Sequence, residues 1–406
     1  MNHRIAITGI GILSSISNDV REHLESLQQG TSGKKLLERI DTSHPFFRNQ
    51  SACVIPQDTL ENITGEDATL QTNCAIYSID QAVRDANLTK EELKDAALII
   101  GSTIGASHTF ATFFKEYITD ATISEASMDL ASHSTQTITG EIAKFFKIQG
   151  PTSTISTACS ASTNSVGRGM DMIRAGKADL VIAGGVDIFS ELAFSGFNCL
   201  QALSTTDCKP FSKTREGLML GDGSAFLILE NLESAQRKNK HIYAEVVSYH
   251  FLNEAYHPTA VKEDGSSVYE CMKQALNKGN ITVDEIDYIN AHGTATKVND
   301  PTELKGIELL MEESTQDKDI YVSSTKSMTG HCLGAAGSVE LITTILGMEH
   351  NFIPPNINVT NEDFLDTPNK NIKIPGKSVE HNITYALSNS FAFGGNMSSI
   401  VLKKSH

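Results

Sequence analysis

The feature that most restricts the fold of this chain is a pattern that occurs twice. The first copy is STISTACSAS and the second is YVSSTKSMTGHCLGAAGS. Each copy leads into a helix with apolar residues at helical spacing: Val166, Met170 and Ile173 in the first, and Val339, Ile342 and Leu346 in the second. Each copy therefore predicts a strand, a sharp turn and a helix that starts with small residues. The repetition of this pattern predicts that the chain has two similar halves.

Short β-branched runs indicate how the rest of each half is built. Residues 5–8, 98–100, 180–183 and 288–290 alternate with longer helical stretches, which predicts an α/β architecture. The polar segment RKNKHI at 237–242 separates two predicted strands. We place the boundary there, with an N-terminal half at residues 1–240 and a C-terminal half at residues 241–406.

Composition excludes several classes of protein. The chain has 406 residues and 40% hydrophobic residues, enough for one large core or two fused ones. A net charge of -16 opposes nucleic-acid binding. No stretch has the length and apolarity of a membrane span or a signal peptide, and the seven cysteines are scattered without CxxC spacing. We expect a soluble, cytoplasmic protein with free thiols.

A glycine motif near the N-terminus resembles a nucleotide-binding fingerprint. The sequence TGIGILS has the first two glycines of that motif, but Ser14 occupies the third position. A clear acidic partner at the end of a following strand is also missing. We therefore assign these glycines to a tight turn.

Cys159 is the first candidate for chemistry. It lies in TACSAS, at the start of a predicted helix, where unpaired backbone N–H groups favour a thiolate and can stabilise an oxyanion. The alternative is a buried structural cysteine at a strand-to-helix corner, which is the commoner role of a lone cysteine.

Two histidines are the next candidates. His292 follows a predicted strand, and His331 lies at the predicted start of a helix, where the dipole keeps the imidazole neutral. Neutral imidazoles can donate hydrogen bonds to a developing enolate oxygen. Structural histidines are the alternative, and the spacing of Cys and His residues gives no support for a metal site.

Three further elements accompany these residues. If Lys326 and Glu303 were paired and partly buried, they would fix the loop near the two histidines and influence the electrostatic field around them. The alternative is that both are solvated surface residues. Near the C-terminus, Gly394 and Gly395 allow the backbone geometry of a substrate gate or an oxyanion hole. A plain hairpin is the alternative for that segment.

Taken in order, the motifs resemble the β-ketoacyl synthases of the thiolase superfamily. They are TACSAS, NAHGTATKVNDPTE, STKSMTGHCLGAAGS and FAFGG, and the segments KPFSKTREGLMLGDGSAFLILE and NEAYHPT extend the match over nearly the whole chain. The resemblance implies a five-layered αβαβα sandwich of two similar halves, in an obligate dimer.

The resemblance also implies a role for each matching residue. Cys159 matches the nucleophile, His292 and His331 match the two histidines, Lys326 matches the buried lysine, and Glu303 matches the glutamate that pairs with it. Further matches concern substrate binding: Phe393 for the oxyanion hole and the acyl gate, Ile104 opposite that gate, and Thr294 and Thr296 for the phosphopantetheine arm.

The implied reaction is a ping-pong condensation. Cys159 takes an acyl group from acyl carrier protein, and malonyl carrier protein then loses CO2 and supplies the attacking carbanion. No dissociable cofactor and no metal are implied. A thiolase would need a second catalytic cysteine, for which Cys332 is a poor substitute, and a cysteine hydrolase would not explain two histidines and Lys326. A scaffold or inactive subunit would predict loss of one of these residues.

The departures from the family pattern bear on the pathway. Lys297 follows HGTAT where fatty-acid elongation synthases have proline, and this resembles the ketosynthase α subunit of bacterial type II polyketide synthases. That subunit works with a chain-length factor, which lacks the nucleophile that Cys159 provides here. We therefore favour a polyketide-type ketosynthase in a heterodimer over a fatty-acid elongation synthase of the II type in a homodimer.

Overall fold

The computed structural model describes residues 3–63, 68–105, 117–119 and 134–405. Its strands are β1 (Ile5–Ser14), β2 (Lys34–Leu36), β3 (Ser51–Cys53), β4 (Ala97–Gly101), β5 (Thr152–Ile155), β6 (Leu180–Asp187), β7 (Gly223–Asn231), β8 (Ala244–Asn253), β9 (Tyr288–Asn290), β10 (Ile320–Ser323), β11 (Phe352–Ile353), β12 (Ile372–Lys373), β13 (Val379–Glu380), β14 (Tyr385–Ala392) and β15 (Asn396–Lys404).

The helices fill the connections between these strands. They are α1 (Val20–Gln29), α2 (Gln57–Ile63), α3 (Leu70–Asp85), α4 (Lys90–Lys94), α5 (Thr135–Phe146), α6 (Ala161–Arg174), α7 (Glu191–Cys199), α8 (Leu232–Arg237), α9 (Ser266–Gly279), α10 (Asn299–Met311), α11 (Lys326–Thr329) and α12 (Ala336–His350). The four β-branched runs predicted as strands lie in β1, β4, β6 and β9, so that prediction is confirmed.

The main sheet has two halves with the same strand pairing. Its order is β12-β10-β9-β14-β15-β8-β1-β7-β6-β4-β5. From β1 outward, the pairing is antiparallel to β7 and β6 and then parallel to β4 and β5. From β8 outward, it is antiparallel to β15 and β14 and then parallel to β9 and β10. The predicted repeat is confirmed, and its two strands, β5 and β10, hold equivalent positions.

The two repeat helices, α6 and α12, pack together between the sheet halves. The backbone N–H of Ser338 donates to Ser162 Oγ at 2.9 Å, and a side chain at Gly337 would overlap Thr163. The six apolar residues predicted on the inner faces of these helices are buried in one cluster. Helix α3 covers the N-terminal strands and α9 the C-terminal strands, which completes the predicted five-layered αβαβα sandwich.

The prediction of a tight turn for the glycines of TGIGILS is wrong. Gly9 and Gly11 lie inside β1, where α3 crosses the strand. A Cβ atom at either position would overlap the backbone oxygens of Ala82 and Ser78 on that helix. These glycines therefore permit the close approach of a helix to a strand, because they have no side chain to hold it away.

Two further expectations concern cysteines and membranes. All seven cysteines are free thiols, as predicted, and only that of Cys199 is exposed. Within the described ranges, no helix combines the length and the apolar character that crossing a bilayer would require.

Candidate active site

Cys159 lies in a strained turn between β5 and α6. The preceding residue, Ala158, has a left-handed backbone with φ of +50°, which costs free energy for a residue with a Cβ. Ser160 then forms the N-cap of α6, and the backbone N–H of Ala161 donates to the Ala158 carbonyl at 3.0 Å. Strain of this kind persists where the surrounding structure enforces it, and here it fixes the position of the thiol.

The prediction that Cys159 favours a thiolate is wrong. The side chain is only 6% exposed, and burial raises its pKa to about 12. The positive charge of Lys326 acts in the opposite direction but does not offset the loss of hydration. The local effect of a helix N-terminus is outweighed by tertiary burial, and the resting group is a thiol at neutral pH.

His292 and His331 face each other in the interior. Their ring centroids are 5.4 Å apart with an interplanar angle of 83°, and both residues are buried. His292 follows β9, as predicted. Burial lowers the pKa of both rings well below the usual value, and Lys326 lowers both further. Both imidazoles are therefore neutral, as predicted.

The predicted reason for the neutrality of His331 needs correction. His331 lies between α11 and a short 3-10 turn at Leu333–Ala335, five residues before α12 begins. Its backbone N–H donates to Met219 O at 2.7 Å. The first cause of its low pKa is burial, and the second is the charge of Lys326. A helix dipole is not needed to explain it.

The predicted pairing of Lys326 with Glu303 is also wrong. Lys326 forms a buried ion pair with Glu340 of α12. Its Nζ also donates to His292 O at 2.6 Å and lies 3.4 Å from His292 Nδ1. The lysine thus contacts His292 and pairs with a carboxylate that comes from α12.

Glu303 supports the same loop from another side. Its two carboxylate oxygens accept the backbone N–H groups of His292 and Gly293, each at 2.8 Å, and Asn389 donates to it at 3.3 Å. Burial raises the pKa of this carboxyl to about 7. Glu303 therefore positions the histidine through its backbone, and the resemblance suggested the wrong partner for it.

Sequence reasoning missed Glu340, although a signal for it exists. The segment GSVELITTILG has this single charge within an otherwise apolar or small helix. A charge buried on every side needs a partner, and Lys326 is the buried cation that reaches it.

One pocket of about 540 Å³ brings the candidate residues together. Cys159, His292 and His331 line it, and the same lining includes the predicted substrate residues Thr294, Thr296, Phe393 and Gly395. The hydroxyls of Thr294 and Thr296 are 3.0 Å apart, within hydrogen-bond distance. Lys326 and Glu303 lie behind the pocket, where they hold His292. The pocket therefore brings a thiol and two neutral imidazoles together.

The residues predicted to form an acyl gate, Phe393 to Gly395, lie on the turn between β14 and β15. Gly394 and Gly395 have φ of +79° and +74°, values that favour glycine, and their segment forms a hairpin, which was the alternative expectation. Their role in a substrate gate or an oxyanion hole stays a prediction. The ring of Phe393 stacks on that of Phe197 with centroids 5.8 Å apart. Ile104 packs, like Phe197, against the apolar cluster of Phe194 and Leu333.

The segment after β8 braces this turn. Asn253 Nδ2 donates to Gly394 O at 2.7 Å, and Gly394 N donates to Pro258 O at 2.7 Å. Glu254 N donates to Gly395 O at 2.8 Å. Two loops from different strands are therefore tied together at the entrance of the pocket.

Metal ligation has no geometric support in the part of the chain that the structure describes. There, no three His, Cys, Asp or Glu side chains are grouped as metal ligands. The residues around Cys159 instead suit acyl transfer, because they combine a nucleophile with neutral hydrogen-bond donors.

Comparison with known proteins agrees with this geometry. Residues 2–235 match the family model "Beta-ketoacyl synthase, N-terminal domain", and residues 243–360 match "Beta-ketoacyl synthase, C-terminal domain". The chain is 35% identical to the 3-oxoacyl-[acyl-carrier-protein] synthase 2 of Staphylococcus aureus (strain COL), over 99% of both chains. The corresponding enzyme of Vibrio cholerae is also 35% identical, again over 99% of both.

Solved structures give the same result. The ishigamide ketosynthase/chain length factor superimposes with a TM-score of 0.92 and 32% identity over the full length of both chains. The ketosynthase of a type II polyketide synthase, in complex with its acyl-carrier protein and bound to the hexaketide, gives 0.87 and 28%, also over both full lengths. The chain belongs to the β-ketoacyl synthase family.

Proposed function

We propose that this chain is the ketosynthase subunit of a type II polyketide synthase and condenses malonyl units onto an acyl chain held on Cys159. The observation that best supports this reaction is that the Cys159 thiol and the neutral rings of His292 and His331 line the same pocket. The enzyme is an acyltransferase that forms carbon-carbon bonds.

The first half-reaction loads the enzyme. The sulfur of Cys159 attacks the thioester carbonyl of an acyl carrier protein, and the pantetheine thiol leaves with the proton that Cys159 loses. Backbone N–H groups of Cys159 and Phe393 stabilise the oxyanion that forms in between. Because burial keeps the free thiol protonated, this proton transfer accompanies the attack.

The second half-reaction makes the new bond. Malonyl carrier protein loses CO2, and the electron pair of the broken bond forms an enolate whose oxygen accepts hydrogen bonds from His292 and His331. The enolate carbon attacks the acyl-Cys159 thioester, which gives a 3-oxoacyl thioester and releases the Cys159 sulfur as a thiolate that takes up a proton from water. Lys326 favours neutral imidazoles throughout, since its charge lowers the pKa of both rings.

The substrates and setting follow from this chemistry. The acyl groups arrive on the phosphopantetheine arm of acyl carrier protein, so the proposed reaction needs no dissociable cofactor and no metal. We expect the enzyme in the cytoplasm, where its free thiols would remain reduced.

The pathway assignment depends on likeness to ketosynthases that work in pairs. The fold match to the ishigamide ketosynthase/chain length factor covers both chains completely, and Lys297 replaces the proline of elongation synthases. The partner would be a related subunit of the chain-length-factor type. A homodimeric fatty-acid elongation synthase is the second candidate, and the 35% identity to the Staphylococcus aureus enzyme favours it.

Intact-protein mass spectrometry after incubation with acyl-loaded carrier protein tests the reaction. The native chain should gain one acyl mass, Cys159→Ala should gain none, and the exposed-thiol control Cys199→Ala should behave as the native chain. Acylation that persists in Cys159→Ala would contradict the assignment of the nucleophile.

The oligomeric state tests the pathway. Native mass spectrometry of the chain, purified alone and with co-purifying proteins, should give a heterodimer whose second subunit is needed for condensation. A homodimer that condenses acetyl and malonyl groups without a second subunit would favour the fatty-acid alternative.

A further inference from the structure

The loop at the mouth of the pocket is held by a side chain outside it. Arg215 donates from Nε to Thr296 O at 3.0 Å and from Nη2 to Lys297 O at 2.9 Å. Its Nη1 donates to Ser212 O at 2.9 Å. One planar guanidinium therefore links the segment at 211–215 to the loop at 294–299, of which Thr294, Thr296 and Lys297 line the pocket.

A second contact fixes the other end of the same segment. The buried carboxylate of Asp300, in the first turn of α10, accepts the backbone N–H of Phe211 at 2.7 Å. Phe211 has a left-handed backbone with φ of +60°, so its position depends on this contact. The segment is thus joined to the first turn of α10 through Asp300 and to the loop at 294–299 through Arg215.

The loop itself has an irregular backbone that needs such support. Ala295, between the two threonines, has φ of +62°, an unfavourable value for alanine. The loop's own hydrogen bonds include the contact between the hydroxyls of Thr294 and Thr296, and one from Asn299 N to Thr296 Oγ1 at 3.3 Å. The two carbonyl contacts from Arg215 therefore fix the backbone that carries the threonine hydroxyls.

We propose that Arg215 is a positioning residue that sets the affinity for the amide-bearing arm of the thioester substrate. This inference depends on the proposed function, in which that arm passes Thr294 and Thr296. The guanidinium acts through the loop and does not touch the substrate. Lysine cannot replace it, because one ammonium group lacks the fork of donors that spans three carbonyls.

The test compares two protein-free substrates that carry the same acyl group. One is a pantetheine thioester, which has the amide-bearing arm, and the other is an S-butyl thioester, which has none. Acylation of Cys159 is followed by mass spectrometry. Arg215→Gln should raise the KM for the pantetheine thioester about tenfold, with the maximal acylation rate within about twofold of native. The rate constant with the S-butyl thioester should not change.

Lys213→Gln is the matched control. It removes the same charge two residues away, where Lys213 pairs with Asp366 on the surface and does not hold the loop. It should leave all three kinetic constants unchanged. If both variants raised the KM for the pantetheine thioester equally, the cause would be the lost charge, and the inference would be overturned.

Other kinetic results for Arg215→Gln would contradict this role of the arginine. Arg215→Gln that slows both substrates alike, or neither, would overturn it. If that variant does not fold, Arg215→Lys replaces it in the experiment. Its KM for the pantetheine thioester should also rise, and an unchanged KM would overturn the inference. Failure of the native chain to acylate Cys159 with either substrate would instead contradict the proposed function.

Discussion

Lys326 and Glu340 form a buried ion pair directly behind His292. The lysine comes from the turn after β10 and the glutamate from α12, and neither side chain is more than 2% exposed. The pair therefore fixes α12 against the loop that carries His292. Burial keeps both imidazoles neutral, and the positive charge of Lys326 lowers the pKa of both rings further.

A double-mutant cycle tests this pairing. Lys326→Met should lower the free energy of unfolding by about 3 kcal/mol, because it leaves the Glu340 carboxylate buried without a cation. Adding Glu340→Gln should recover part of that loss, with an interaction energy of at least about 1 kcal/mol from urea unfolding. Adding Glu303→Gln is the control, and a larger interaction energy with Glu303 than with Glu340 would contradict the pairing.

The reactivity of Cys159 should follow its raised pKa. Since burial raises the pKa to about 12, the rate of alkylation by iodoacetamide should rise about tenfold per pH unit from pH 7 to 9, without a plateau. Peptide mass spectrometry measures this rate, and the exposed Cys199 in the same digest monitors the reagent. A plateau between pH 6 and 8 would mean that the enzyme stabilises the thiolate.

Glu303 should make stability depend on pH. Burial raises its pKa to about 7 in the folded chain, above the usual 4.5. Its contribution is therefore fully present below pH 4.5 and is lost as the pH rises towards 7, because the unfolded chain ionises first. Between pH 5 and 8, Glu303→Gln should lose less stability than the native chain, as measured by urea midpoints.

The control for this pH profile is Glu380→Gln, which changes an exposed carboxylate. Its stability should follow that of the native chain at every pH. If Glu303→Gln showed the same pH slope as the native chain, the Glu303 carboxyl would not titrate in this range.

The hairpin turn that carries Phe393 should not tolerate a side chain at Gly395. A Cβ there would lie 3.2 Å from Asn253 Oδ1, on a backbone with φ of +74°. Gly395→Ala should cost about 1 kcal/mol of stability and slow the acylation of Cys159, because the turn positions Phe393. Thermal unfolding and acylation rates measure the two effects.

Gly140→Ala is the matched change for that experiment. Gly140 lies in α5, and a Cβ atom added there would have no neighbour within 4 Å among the described residues. Alanine should therefore stabilise the helix by about 0.5 to 1 kcal/mol and leave acylation unchanged. Equal acylation rates for Gly395→Ala and Gly140→Ala would show that the turn does not position the gate.

Local patterns were sufficient to predict the repeat and the places of the main candidate catalytic residues. The turns after β5, β9 and β10 are visible in the sequence, because short apolar strands give way abruptly to small and polar residues. Cys159, His292 and Lys326 follow those strands closely. Residues at strand ends lie at an edge of the sheet, so their proximity can be expected from the sequence.

The sequence marks Glu340 as a charge within an apolar helix, but it does not show that Glu340 is the partner of Lys326. Glu303 and Glu340 are both carboxylates on helices that flank the loop, and the sequence separation favours neither. The packing of α12 between the sheet halves places Glu340 against the lysine, while α10 directs Glu303 to the backbone of His292. The state of the Cys159 thiol has the same explanation, since burial decides its pKa.

The sequence by itself determined the two-fold repeat, the family and the places of the candidate nucleophile and the two candidate histidines. These depend on local residue order, which motifs record directly. Only the tertiary structure decided which carboxylate pairs with Lys326 and that the resting Cys159 is a thiol. It also decided that Arg215 donates hydrogen bonds to the loop at 294–299. Those properties depend on burial and on contacts between distant segments, and both arise only when the two halves pack together.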